Sequence, residues 1–336
     1  MTIQVNAENG CYDIVIRRDA LSKVGEIMPL SCKVLVVTDD GVPAEYARTV
    51  ATQYADAYVM TIPHGERNKN FETYKSILSS LMEHSFSRRD AVIAVGGGVV
   101  GDIAGFAAAT YMRGIDFYNI PTTFLSQVDS SIGGKVAVDM DGVKNIIGAF
   151  HQPKKVVIDP DVLKTLDPRQ LSAGIAESIK MAATCDAELF SLLEKSTDFV
   201  TDCDRIIEAS LMIKKRVVEE DPKEHGLRRV LNFGHTIGHA IESAKMGELL
   251  HGECVAIGML PMTDDATRAR LEAVLEKYAL PTGTLVNAAD LLPIMLHDKK
   301  KTSGGVSVVL VHEIGSFEIK TADEAELGKY LLRIKI

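Results

Sequence analysis

Short runs of Val and Ile with little polar alternation recur through the first half of the chain, at 12–17, 34–38, 58–63, 91–95, 117–121 and 156–158. Strands buried on both faces read this way, because neither side meets water. Between these runs lie stretches of helical spacing, clearest at 71–84. The alternation predicts a largely parallel sheet with helices around it. From Asp167 onward the spacing is almost all helical. Asp167-Pro168-Arg169-Gln170 supplies an N-cap, a proline at the first helical position and a capping-box glutamine. Helices are predicted over about 168–196, 202–219, 230–246 and 252–278, then a strand at 306–311 with a partner at 317–319. The expected layout is an α/β domain over 1–165 and a mainly α-helical domain over 166–336.

Composition narrows the class. The chain has 336 residues, 46% hydrophobic and 25% charged, ordinary for a globular protein with a real core. A formal charge of −9 argues against a general nucleic-acid binder, while leaving room for a local basic pocket. The five cysteines are scattered and form no CxxC, so neither a disulfide framework nor a thiolate metal cage is expected. The N-terminus has no basic and apolar leader pattern. The longest apolar stretch, 91–110, is broken by glycines and Asp102, so no membrane span is expected. A cytoplasmic protein fits these features.

The run at 91–95 ends in Gly96-Gly97-Gly98-Val99-Val100-Gly101-Asp102 and leads into a helical stretch. Strand–GxGxxG–helix lets a backbone approach a pyrophosphate at a helix N-terminus. The same glycines also suit a tight, closely packed strand-to-helix turn. The usual fingerprint opens the first βαβ unit, and here at least three strands precede it. Any adenosine must therefore be held by upstream segments, with Asp39 and the 65–69 stretch as candidates.

His235 and His239 lie one helical turn apart, and His251 follows twelve residues later, beside Glu253. Imidazole and carboxylate ligands without cysteine suit a catalytic Zn²⁺ with an open position. Spacing alone favours the His235/His239 pair; packed or hydrogen-bonding histidines are the plainer alternative. Glu177, amid small and apolar residues, is a candidate carboxylate ligand, since an unpaired charge there is costly. Its alternative is a buried ion pair with Lys180, three residues on. Arg113, Lys135, Lys144, Lys214, Arg228 and the 299–301 lysines are cations in unusual company. Lys135, behind Ser-Ile-Gly-Gly, reads as part of an anion-holding loop. A substrate with both carboxylate and phosphate needs several such groups.

Together these motifs resemble the 3-dehydroquinate synthases of the sugar-phosphate cyclase superfamily. The segments that carry the resemblance are 65–69, 96–106, 111–114, 121–123, 129–135, 144–150, 174–180, 228–239 and 251–253. The resemblance implies a Rossmann-like nucleotide-binding α/β domain, a helical metal-binding domain and a site between them, in a cytoplasmic homodimer. It implies NAD and Zn²⁺, with Co²⁺ able to substitute, and a small anionic sugar-phosphate substrate. The metal ligands it implies are Glu177, His235 and His251, which moves His239 from ligand to substrate neighbour. Substrate and catalytic contacts fall on Asp129, Lys135, Asn145, Lys180, Lys214, Arg228, Asn232, His239 and Lys300, with Arg113 from the partner subunit. NAD contacts fall on Asp39, Glu66, Lys69, Gly97, Gly98, Val99, Asp102, Thr122, Thr123, Lys135, Lys144 and Thr165.

The implied reaction converts 3-deoxy-D-arabino-heptulosonate 7-phosphate to 3-dehydroquinate and phosphate. It runs through transient oxidation, phosphate elimination, reduction, ring opening and intramolecular aldol closure, as in a carbon–oxygen lyase of aromatic amino-acid biosynthesis. Two departures stand out: Gly41 where the family often has Asn, and Ser178 where it commonly has Val. The rivals are another sugar-phosphate cyclase and a zinc polyol dehydrogenase of the glycerol dehydrogenase type. Lys214, Arg228 and Asn232 favour a carboxylate-bearing substrate over both.

Overall fold

The computed structural model describes residues 1–7, 10–222, 226–245, 247–297 and 305–335. The chain divides into two compact units, Met1–Leu166 and Asp167–Ile336.

The described strands of the first unit are β1 (Thr2–Ala7), β2 (Gly10–Ile16), β3 (Val34–Asp39), β4 (Ala57–Ile62), β5 (Ala91–Gly96), β6 (Asp116–Pro121), β7 (Lys135–Met140), β8 (Val143–Phe150) and β9 (Lys155–Ile158). Seven of them form one sheet in the order β1-β2-β9-β6-β5-β3-β4. β1 and β2 are antiparallel; every other neighbouring pair is parallel. Alternate residues of β3 and β5 bury into different cores, as a pleat of period two requires. Leu35, Val37, Val92 and Ala94 join Ile77 and Leu81 of helix Phe71–Glu83, and Ile103 and Ala104 of helix Gly98–Thr110. Val34, Val36, Ile93 and Val95 join Val24, Met28, Ala47 and Val50 on the other face.

Two features were not expected from the apolar runs. β1 alternates exposed and buried residues along one edge of the sheet, so it shows no continuous run. β7 and β8 form a separate antiparallel ribbon. β8 is mostly exposed and carries no core pattern. The signal available there was Asp141-Gly142, which takes φ +50° and +77° and turns the ribbon in two residues.

In the second unit three predicted helices end differently. The stretch 168–196 is two helices, Pro168–Cys185 and Ala187–Lys195. Asp186 leaves the helical region and caps the second helix through Glu188 N and Leu189 N, each at 2.9 Å. The stretch 230–246 begins as the 3₁₀ turn Leu227–Asn232, and its α-helix spans His235–Lys245. Gly234 breaks it with φ +78°, and a Cβ there would lie 2.6 Å from Met259 Cγ. The stretch 252–278 is His251–Met259, the 3₁₀ turn Leu260–Met262 around Pro261, and Asp265–Lys277 capped by Asp264. The 202–219 helix spans Phe199–Glu220. Helices Ala288–His297 and Glu324–Leu331 were not foreseen. β10 (Val306–Leu310) pairs antiparallel with β11 (Glu318–Ala322).

Glycines let helices of the second unit meet backbone to backbone. A Cβ at Gly252 would lie 1.8 Å from Ala173 O, and one at Gly258 would lie 2.1 Å from Gly234 O. Both distances are far inside van der Waals contact, so an added methyl must push helices apart. Gly252→Ala is expected to destabilise the helical unit by ~2 kcal/mol or more, the usual scale of overpacking. Urea unfolding followed by circular dichroism checks this; an unchanged midpoint would remove the close-contact account.

Candidate functional site

Glu177 stands on the helix Pro168–Cys185 and is 1% exposed. Neither of its carboxylate oxygens has a hydrogen-bond partner of good geometry. Lys180 Nζ lies 2.5 Å from Oε2, so the predicted ion pair is present. Oε1 faces two imidazoles, with His235 Nε2 at 3.8 Å and His251 Nε2 at 3.5 Å. Those histidines open the helices His235–Lys245 and His251–Met259, which the glycine contacts hold together. His239 completes the cluster: the nearest ligand atoms of His235, His239 and His251 all lie within 4.8 Å of one another. Four potential ligands thus converge, including both the spacing-based pair and the set implied by the resemblance.

The electrostatics differ from one member to the next. Burial and the nearby Lys180 push His235 down to about 3, so its ring stays neutral, the form that binds metals. Burial also penalises charge on His251, but Glu177 and Glu242 outweigh it and lift the ring to about 9. Glu177 itself is held well below the usual carboxylate range: burial opposes this, and Lys180 with the two imidazoles overcomes it. Glu242 was missed by the sequence reading. Its Oε2 lies 3.2 Å from His251 Nδ1, which leaves Nε2 aimed at Glu177. A carboxylate behind a ligating imidazole is a recurrent metal-site arrangement. Its sequence signal was its place three residues after His239 on the same helix. Glu253, adjacent to the cluster in sequence, is engaged elsewhere, taking a two-point ion pair from Arg169 at 2.6 and 2.8 Å and capping Leu250 N at 2.7 Å.

The orphaned carboxylate and the converging imidazoles fit a divalent cation, and the all-nitrogen-and-oxygen donor set fits Zn²⁺. Lys180 stands beside them, and two further cations of the same unit are buried. Lys180 is 2% exposed, Lys214 6% and Arg228 3%. Asp221 Oδ2 accepts the Arg228 N–H at 2.9 Å, and Arg228 Nη1 donates to Pro222 O at 2.8 Å. Asn232 closes the 3₁₀ turn just before the histidine helix. Ser178 Oγ lies 2.8 Å from Ser210 Oγ, so the departure at 178 is answered by a second hydroxyl in the neighbouring helix Phe199–Glu220. Lys214 follows Ser210 by one turn, on the same face. Lys300 lies outside the described residues.

In the first unit the expected dinucleotide contacts gather where parallel strands end. Asp39 closes β3, Glu66 and Lys69 follow β4, Gly97, Gly98 and Val99 follow β5, and Thr122 and Thr123 follow β6. Carboxyl ends of parallel strands are where open α/β sheets bind ligands. The glycines here are matters of space, since none of 96, 97, 98 or 101 takes a positive φ. A Cβ at Gly96 would lie 2.5 Å from Val100 Cγ2, and one at Gly97 2.9 Å from Thr123 Cγ2. Gly98 and Val99 begin the helix and are partly open, so its first N–H groups are accessible. Asp39 Oδ1 accepts from Gly41 N at 2.9 Å and Val42 N at 3.1 Å. A Cβ at Gly41 would crowd both Asp39 and His64 at 3.2 Å, which accounts for glycine there.

Lys69 is 3% exposed and pairs with Asp102 at 2.5 Å; it also donates to Asn145 Oδ1. Burial pushes the Asp102 carboxyl up to about 6, against the pull of Lys69. Thr165 Oγ1 meets Tyr46 OH at 2.9 Å. Asp129 sits on the π-helical turn Ser126–Ser130, Lys135 opens β7, and Lys144 lies on β8. Arg113 is exposed, on a turn where it takes φ +70°.

The chain is similar to known proteins over nearly its whole length. Residues 59–173 match the 3-dehydroquinate synthase N-terminal family model, and residues 174–301 match the C-terminal one. A 3-dehydroquinate synthase of Enterococcus faecalis is 41% identical, covering 99% of both chains. A 2-epi-5-epi-valiolone synthase of Streptomyces hygroscopicus, solved with NAD⁺ and Zn²⁺ bound, superposes with a TM-score of 0.88 at 29% identity, covering 96% of each chain. A 2-deoxy-scyllo-inosose synthase, solved with carbaglucose-6-phosphate, NAD⁺ and Co²⁺, gives 0.90 at 25% identity over the whole of both chains. The chain belongs to the 3-dehydroquinate synthase family.

Proposed function

We propose that the chain closes 3-deoxy-D-arabino-heptulosonate 7-phosphate into 3-dehydroquinate with release of phosphate, using NAD and a Zn²⁺ held by Glu177, His235 and His251. The carrying observation is the convergence of a buried carboxylate, short of hydrogen bonds, with two imidazoles of separate helices. His239 is more exposed than His235 and His251, so it is the imidazole available to a substrate. NAD⁺ would take up and return a hydride, and Zn²⁺ would supply Lewis acidity at the substrate hydroxyls.

The chain's own residues hold and orient the substrate. Lys180, Lys214, Arg228, Asn232 and Lys300 meet the carboxylate-bearing end and its hydroxyls. Asp129, Lys135, Asn145 and His239 steady the reacting carbons and the phosphate. Fixed cations in a site of low polarity stabilise developing negative charge without reorganising. Asp39, Glu66, Lys69, Gly97, Gly98, Val99, Asp102, Thr122, Thr123, Lys135, Lys144 and Thr165 hold the dinucleotide. The proposed state is a cytoplasmic homodimer in which Arg113 of one subunit serves the other's site. The exposed Val143, Ile146 and Phe150 of β8 are an apolar surface such a dimer could cover.

Three outcomes test the reading. Purified protein given this substrate, NAD⁺ and Zn²⁺ releases inorganic phosphate without accumulating NADH. Faster release from the substrates of inosose- or valiolone-forming cyclases, run in parallel, would reassign it within the superfamily. Second, Glu177→Gln and His251→Ala lose bound zinc by elemental analysis, whereas His239→Asn keeps zinc and loses turnover. Zinc loss in His239→Asn would make the three imidazoles the ligand set instead. Glu242→Ala keeps the ligands but weakens zinc binding by roughly 10–100-fold in a chelator competition.

Third, Asp102 is ionised above about pH 6 and neutral below it. NAD affinity therefore falls as pH drops through that value, and Asp102→Asn flattens the dependence. A dissociation constant that is constant from pH 5 to pH 7.5 on calorimetric titration, ~1 unit or more either side of the transition, would exclude Asp102 as an ionised contact.

A further inference from the structure

The β7–β8 ribbon breaks register at one place. Val138 pairs with Ile147 and Met140 with Val143, so the single residue Asp139 lies opposite 144–146. A bulge of this kind takes residues out of the ladder and re-aims their side chains. Here the bulged residues include Lys144 and Asn145. Asn145 takes φ +55°, a left-handed conformation that asparagine tolerates better than most residues but still needs support.

That support comes from a closed ring of hydrogen bonds. Asp139 Oδ1 accepts the Asn145 N–H at 2.7 Å. The Asp139 N–H donates to Lys69 O at 2.8 Å. Lys69 Nζ closes the ring by donating to Asn145 Oδ1, while it also faces Asp102 at 2.5 Å. Asp139 thus ties the ribbon to the segment after β4, and the tie runs on through Asp102 to the helix that follows the glycine-rich turn. Neither the motifs nor the family resemblance assigns Asp139 a role.

We propose, resting on the assignment of Asn145 to the phosphate end and Lys69 to the dinucleotide, that Asp139 is a positioning residue that sets both at once. Without its carboxylate the Asn145 N–H loses its acceptor and the left-handed bulge loses its anchor. The ribbon then relaxes toward a regular ladder, Asn145 leaves Lys69, and the Lys69 ammonium turns further toward Asp102. A carboxamide at 139 still offers an acceptor oxygen, so Asp139→Asn preserves the arrangement that Asp139→Ala destroys.

In Asp139→Ala, KM for the sugar phosphate and the NAD dissociation constant each rise about tenfold, the scale of one hydrogen bond to a charged group, while kcat changes less than about threefold. Zinc content is unchanged, and hydrogen exchange at the Asn145 amide speeds up. Asp139→Asn restores both affinities to within about threefold of the unsubstituted chain. An alanine variant with unaltered KM and NAD affinity would overturn the proposal. So would an asparagine variant as impaired as alanine. If the unsubstituted chain released no phosphate, the functional reading would fall by itself. NAD affinity and Asn145 exchange in the alanine variant would then still decide the role of Asp139, for it if both change and against it if either does not.

Discussion

A carboxylate that cannot reach water governs the helical unit. Glu177 is almost wholly enclosed, and removing an ionised carboxylate from solvent costs several kcal/mol after relaxation, on the order given by buried-ion studies. Lys180 compensates one oxygen at 2.5 Å. The other faces imidazoles at 3.5 and 3.8 Å, too far for strong hydrogen bonds but directed at the same space. The arrangement is stable only if positive charge is kept around it. Glu177 and Glu242 draw His251 toward its charged form, and a divalent cation would supply more positive charge.

Backbone contact is what allows this convergence. The helices that carry the two histidines and the carboxylate approach one another more closely than side chains normally permit. Gly252 against Ala173 and Gly258 against Gly234 remove the side chains at those crossings. Glycine serves the same purpose in the first unit. Gly105, whose Cβ would lie 2.4 Å from Val136, lets the helix Gly98–Thr110 seat against the β7–β8 ribbon. The ribbon thereby packs against that helix, and Asn145 of its bulge reaches Lys69.

The two departures from the family pattern are local solutions with visible partners. Ser178 would be a buried hydroxyl beside Glu177, and Ser210 satisfies it. Gly41 leaves room for Asp39 and His64 to come close, so the Asp39 carboxylate is oriented by two backbone N–H groups and not by a neighbouring side chain.

The chain's own letters determined the strands that are buried on both faces, the change to helical spacing after Asp167, and the residue types capable of the chemistry. Those follow from period and composition, which are local properties. They did not determine that Asp186 and Pro261 would each split one apolar stretch into two helices, since capping and ring geometry compete with periodicity that runs straight through them. Nor did they reveal the mostly exposed β8, whose pairing depends on a ribbon partner and not on a core. Spacing alone favoured His235 with His239, and residue likeness favoured Glu177 with His235 and His251. Tertiary structure decided which side chains actually meet, and added Glu242 and Asp139, because hydrogen bonds between distant segments depend on helix crossings and strand register that no local pattern encodes.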